Sequence, residues 1–195
     1  FVLDGAPSEG PKWNAVGTGN WYSNALNNPL PGLVLENKEG TDDYRVVDFM
    51  SAATGVTGVH FEFTWNRTTN LCELKGEVDT GIAAQMLGLN APGNIYFVDE
   101  KTFWNAHGYP DDTWESLTAE YGVSPQPYFD PQYNAFFFRV AYYIKDVDAA
   151  VTFKTESGEQ TYFVEEIFQL DAAATASSVV VPKKVSIAKS ADASK

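Results

Sequence analysis

The sequence predicts an all-β fold, an antiparallel sandwich or barrel of about eight strands with one short helix, and three observations carry it. Apolar residues recur with period two, most plainly Phe61, Phe63 and Trp65 against His60, Glu62 and Thr64. The run 135–145 is apolar on both faces: Phe136, Phe138, Val140, Tyr142 and Ile144 share one, while Phe137, Ala141 and Tyr143 share the other with Arg139. Such a strand is central rather than peripheral. Third, Gly, Asn and Asp punctuate the chain at short intervals with turn chemistry.

Taken in order, residues 1–12 are rich in Gly, Pro and acid and read as a linker, 13–171 as a single β domain, and 172–195 as a C-terminal tail. Strands are expected at 20–22, 33–35, 44–47, 61–65, 71–78, 95–98, 135–145, 151–154 and 161–170. Asn66 to Asn70 and Ser157-Gly158 read as hairpin turns, and Asp42 as part of a β-turn. The one helix is expected to start at Asp112 as cap with Glu115 three residues on. It carries Trp114, Leu117 and Tyr121 on one packed stripe and stops at Gly122. Beyond Asp171 small residues dominate, with Val179 to Val181 the one candidate edge strand.

A length of 195 residues suits one full core, and 13 Phe, 10 Tyr and 5 Trp supply the apolar area for it. The formal net charge of −13 repels phosphate backbones and anionic lipid, so nucleic acid is excluded as a partner. Cys72 is the single cysteine. It alternates with Leu74 in Leu71-Cys72-Glu73-Leu74 and reads as a small buried hydrophobe rather than a nucleophile. No apolar run reaches the length of a membrane-spanning helix.

Catalytic and metal-binding material is scarce. His60 and His107 are the only histidines, too few for multi-histidine metal chemistry, and His60 falls on the wet face of a strand beside Glu62. Gly17-Thr18-Gly19 lacks the third glycine and the helix of a dinucleotide fingerprint and reads as a turn. Asp42-Asp43 and Asp111-Asp112 lack the spacing of a calcium loop, and Asn66-Arg67-Thr68 reads as a turn rather than a used sequon. Neither a cofactor nor a metal is expected. Paired carboxylates are the one catalytic device available in quantity, with Asp99, Glu100, Glu115 and Asp130 as candidates for glycoside hydrolysis. Against that enzyme reading stands a non-catalytic binding module, and a structural spacer is the binding-free alternative. The segment 103–129 is dense in aromatic and polar groups, which suits stacking on sugar rings and bonding to hydroxyls. Trp104, Asn105, His107, Tyr109 and Tyr128 are its candidate ligand residues, with Trp104 and Tyr128 expected to be the exposed aromatics.

Several segments together carry a resemblance. They are Trp13 followed by Gly17-Thr18-Gly19-Asn20-Trp21-Tyr22, then Tyr44-Arg45-Val46, Ile95-Tyr96-Phe97-Val98-Asp99, Phe129-Asp130, the strand from Phe136 to Ile144, and Glu166-Ile167-Phe168-Gln169-Leu170. With these in order the chain resembles a domain of cell-surface lipoproteins of gut Bacteroidota, adhesion-type or uncharacterised surface proteins that commonly follow immunoglobulin-like modules. The resemblance implies an exported protein on the bacterial surface, anchored to the outer membrane through a lipidated N-terminal cysteine outside this sequence. It brings no catalytic residues, and the binding-module reading of the aromatic segment gives a glycan or another surface protein as the expected partner. Asn20-Trp21-Tyr22-Ser23 stands where members often have Tyr followed by Asp, and the long aromatic insert is a further departure.

Overall fold

The computed structural model describes residues 11–24, 26, 28–155, 158–171 and 189–190. The first half runs through β1 (Trp13–Tyr22), β2 (Leu30–Lys38), β3 (Asp43–Val46), the single helical turn α1 (Ser51–Thr54), β4 (Phe61–Trp65), β5 (Cys72–Leu74) and β6 (Val78–Ala83). Next come β7 (Asn94–Asp99), the helices α2 (Glu100–Ala106) and α3 (Trp114–Tyr121), β8 (Tyr128–Asp130) and the long β9 (Ala135–Ile144). The chain continues with β10 (Ala149–Ala150), β11 (Thr152–Lys154), β12 (Gln160–Thr161), β13 (Phe163–Leu170) and β14 (Lys189–Ser190). β12, β11 and β14 form a small separate sheet.

The expected all-β antiparallel class is the one found: nine strands follow one another in the order β5-β4-β3-β2-β1-β13-β9-β7-β6, in a nearly closed, barrel-like sheet. β9 is its hub. Opposite β13 its first half pairs with β8 and its second half with β7, so the residues apolar on both faces do occupy the central strand. β8 also reaches the far edge of the sheet. The Cys72 N–H donates to the Pro127 carbonyl at 2.7 Å and the Phe129 N–H to the Asn70 carbonyl at 2.8 Å. Backbone groups that would form an open edge on β5 are thereby satisfied, which removes a template for aggregation.

Alternation fills the interior. Trp21, Phe61, Phe63, Phe97, Phe136, Phe138, Tyr142 and Phe168 all point inward and are buried, together with Phe49 from the turn before α1. Their rings interlock: Phe61 meets Phe138 edge-on at 4.7 Å and Phe63 meets Phe136 edge-on at 5.1 Å, while Trp21 stacks on Phe138 at 5.8 Å. The barrel is therefore a packed core, each such ring contributing about 1.5–3 kcal/mol through burial. The outer face of β9 is apolar for another reason. Ala141 and Tyr143 join Val98, Phe103 and Phe163 in a second cluster beneath α2.

Local departures from the sequence expectation each have a physical cause. The expected strand 71–78 is split into β5 and β6, because Gly76 turns the chain at φ +73°. Gly17-Thr18-Gly19 lies inside β1 rather than in a turn. A Cβ at Gly19 would stand 2.3 Å from the Gln169 carbonyl oxygen, so glycine permits the close approach of β13. α3 is capped by Thr113, whose side chain accepts from the Ser116 N–H in a reciprocal capping box, rather than by Asp112 with Glu115. Gly122 ends it in the left-handed region as expected. Trp114 and Leu117 are buried, but Tyr121 is 41% exposed and not part of the packed stripe. The hairpin turn at Asn66 holds, with its Oδ1 accepting from the N–H groups of Thr68 and Thr69. Gly158 N–H closes a turn onto the Thr155 carbonyl, and Ser157 lies outside the described residues, as do the Val179 to Val181 strand, residues 1–10 of the linker and most of the tail.

Candidate functional site

The sequence leads to one helix between β7 and β8, the one now seen as α3; the structure places a second, α2, directly after β7. Asp99 ends the strand and accepts the Thr102 N–H at 2.7 Å, which caps α2. Seven residues give a short helix of modest propensity, so packing must hold it. Phe103 supplies that packing, wedged against Phe163 edge-on at 5.3 Å, and the buried Glu100 ties the first turn to Arg139 of β9 at 2.6 Å. α2 thus lies fixed across the outside of β9 and β13.

Its far end forms an aromatic ledge. Phe103 stacks with the His107 ring at 4.2 Å and with Tyr162 at 6.0 Å, both within 30° of parallel. Trp104 stands edge-on to Phe103 at 5.1 Å and to Tyr109 at 5.7 Å. Tyr109 is 59% exposed and Tyr162 42%, so two rings face solvent from a rigid base. The polar groups around them are also fixed. His107 Nδ1 sits 2.6 Å from the Phe103 carbonyl, which can only accept, so Nδ1 carries a proton and donates it there. Nε2 lies 3.8 Å from Asp148 Oδ1, and that oxygen accepts the Tyr143 hydroxyl at 2.6 Å. Burial and the Asp148 carboxylate together push Tyr143 up to about 12. Trp104 Nε1 and Asn105 Oδ1 are buried with no hydrogen-bond partner among the described residues.

Four of the five expected ligand residues, Trp104, Asn105, His107 and Tyr109, are therefore brought together on and just after α2. The fifth is not with them. Tyr128 belongs to β8 and stacks on Phe137 at 5.2 Å, while His107 packs against Tyr143 at the other end of β9, about 20 Å away at roughly 3.4 Å per residue. Trp104 is half-buried rather than an exposed platform; Tyr109 is the prominent ring. Tyr162 was missed. Simple alternation along 161–170 puts it on the same face as Val164, but Thr161 bends the chain by bonding its own hydroxyl to the Phe163 backbone, and the bend turns Tyr162 outward.

Three of the four carboxylates proposed for catalysis are engaged elsewhere. Asp99 caps α2, Glu100 pairs with Arg139, Asp130 accepts the Gln132 N–H at 2.8 Å, and Glu115 is exposed in the first turn of α3. Glu73 bonds Lys101 and the Trp114 indole, bonds that outweigh its burial and hold its carboxyl below the usual range. His60 is anchored rather than solvated, its Nδ1 accepting the Asp48 N–H at 3.2 Å. Cys72 is buried beside Leu74 on the inner face, as alternation implies, and burial pushes its thiol up.

One ionisable group that sequence reading passed over is Glu166. It is fully buried inside the barrel, where Oε2 accepts the Trp21 indole N–H at 2.7 Å, and Oε1 accepts the Asn24 backbone N–H at 2.9 Å and the Tyr142 hydroxyl. Burial, partly offset by those bonds, raises its carboxyl to about 7. The signal was present, since alternation places Glu166 between the inward Val164 and Phe168.

A barrel-like β domain with an aromatic ledge clamped on its outer wall is the class that fold and site define. No family model matches the chain, and neither do any of the curated proteins or solved structures with which it was compared.

Proposed function

We propose that the chain is a non-catalytic binding module whose ligand face is the ledge at the end of α2, and that its ligand is a neutral glycan. The observation that carries this reading is the pairing of exposed Tyr109 and Tyr162 rings with the His107 ring and the acceptor carboxylate of Asp148. Sugar rings present apolar faces to aromatics and hydroxyls to such acceptors. The net charge of −13 favours an uncharged ligand over an anionic one. Engagement of Asp99, Glu100 and Asp130 in caps, ion pairs and turns supports binding over hydrolysis, which needs two carboxylates facing across a cleft. The resemblance to lipoproteins adds the setting, a bacterial outer-membrane surface reached through an N-terminal lipid anchor.

A glycan array tests this directly. The wild-type chain is expected to bind a defined set of neutral oligosaccharides, and Tyr109→Ala or Tyr162→Ala to weaken binding by about 1–3 kcal/mol each, the usual scale for an aromatic anchor. Both rings are exposed, so neither change should lower stability by more than about 0.5 kcal/mol. An array without hits, or hits indifferent to both substitutions, refutes the assignment.

A further inference from the structure

The ledge opens onto more of the outer wall than Tyr109 and Tyr162 cover. Where β13 lies against β9, the outward residues pair in rows: Phe163 opposite Ala141, Glu165 opposite Arg139, and Ile167 opposite Phe137. Rows on one face of a strand lie about 7 Å apart, so the first and third stand about 14 Å from each other. The first row is the floor of the ledge, where Phe103 and Trp104 meet Phe163 edge-on and Tyr162 emerges beside them. The third carries a separate group of rings. Tyr128 is exposed and lies flat on Phe137 at 5.2 Å, 12° from parallel, and Tyr133 meets Phe137 edge-on at 6.2 Å.

The row between them is polar and open. Arg139 donates through Nε to Glu100 and lies over the Phe163 ring at 5.5 Å, and with 40% of its side chain exposed its terminal N–H groups are donors at the surface. Glu165, across from it, is exposed and offers acceptor oxygens. Burial first, and then the charge of Glu165, push the Tyr128 phenol up from its ordinary value, so its hydroxyl stays a donor.

We propose that these three rows form a binding track continuous with the ledge, and that the ligand taken there is an unbranched neutral glycan long enough to reach from Tyr109 and Tyr162 to Tyr128. The assignment rests on the ledge as ligand face and extends it from one contact to a chain. Aromatic plates at the two ends suit the apolar faces of sugar rings, and a donor beside an acceptor between them suits the hydroxyls of the intervening sugars. The two plates act as linked sites. A glycan held at the ledge presents its far end to Tyr128 at high effective concentration, so a weak second contact raises affinity without any change in the first.

Calorimetric titration of the full chain with cello-, manno-, xylo- and malto-oligosaccharides, each from disaccharide to hexasaccharide, tests the track. In a series that binds, the hexasaccharide should bind about tenfold or more tighter than the disaccharide. Tyr128→Ala should lower hexasaccharide affinity by about tenfold, toward the disaccharide level, and Tyr128→Phe, which keeps the ring, should not. Disaccharide affinity in Tyr128→Ala should equal that of the wild type, which also reports that the variant is folded. Glu165→Ala, on the exposed middle row, should weaken the hexasaccharide alone and carries the test if Tyr128→Ala does not fold. A hexasaccharide that binds no better than the disaccharide, with both weakened by Tyr109→Ala, overturns the track and leaves the ledge standing. So does a gain with length that neither Tyr128→Ala nor Glu165→Ala alters, or four silent series beside array hits of other kinds. If the array is empty as well, the ledge falls with the track.

Discussion

Replacing Glu166 by Gln separates the charge of this residue from its shape. Gln offers one acceptor oxygen where Glu166 offers two, so its amide group must face either the Trp21 indole N–H or the Asn24 N–H, donor against donor. That conflict costs about 1–3 kcal/mol at every pH. The wild type has a pH-dependent handicap of its own. Its carboxyl is raised from 4.5 to about 7 in the folded chain, so between those values the folded state keeps a proton that the unfolded state has released. Stability is fully present below pH 4.5 and is lost as pH rises through about 7. At roughly 1.4 kcal/mol per unit the loss is about 3 kcal/mol. Urea unfolding of both proteins from pH 4.5 to 8 measures the difference, in which the contributions of the other carboxylates cancel. The wild-type advantage should shrink by about 3 kcal/mol across that range and approach zero or reverse. A gap that stays constant or widens would mean that Glu166 is ionised at acidic pH inside the barrel, and the account of its burial would fail.

Other perturbations follow from the packing. Gly19→Ala sets a methyl against a backbone carbonyl that cannot move aside, and should lower stability by about 2–3 kcal/mol in the same denaturation assay. Arg139→Ala leaves the buried Glu100 without its partner and should cost about 2 kcal/mol, with Arg139→Lys recovering part of it. Cys72 should resist thiol reagents in the native protein and react at once after unfolding, because its thiol is buried and pushed up by that burial. Stability should not respond to reductant, since one cysteine forms no internal bridge.

The large features were legible because they depend on side-chain parity. Phe61, Phe63 and Trp65 alternate as buried residues of β4, and the two apolar faces of β9 match its central place, one turned to the barrel and one to α2. What parity cannot report is where the chain changes direction. Gly76 cuts one apparent strand in two, and the Thr161 bend turns Tyr162 onto the ledge. α2 was hidden for a different reason: seven residues make too little periodicity to see, and the helix is held by Phe103 and Glu100 contacts to strands distant in sequence. The site was legible in the same measure. Trp104 to Tyr109 are neighbours in the chain and stayed together, whereas grouping Tyr128 with them required a fold-level distance that composition does not contain.

The most direct test of the ledge as ligand face is a chemical-shift map of the isotopically labelled chain titrated with an oligosaccharide selected on the array. The account predicts that the largest perturbations fall on Phe103, Trp104, Asn105, His107, Tyr109 and Tyr162, and that they disappear together in Tyr109→Ala. Perturbations centred instead on the exposed Leu71 and Tyr128 at the other end of β9, or no saturable shift at all, would contradict it.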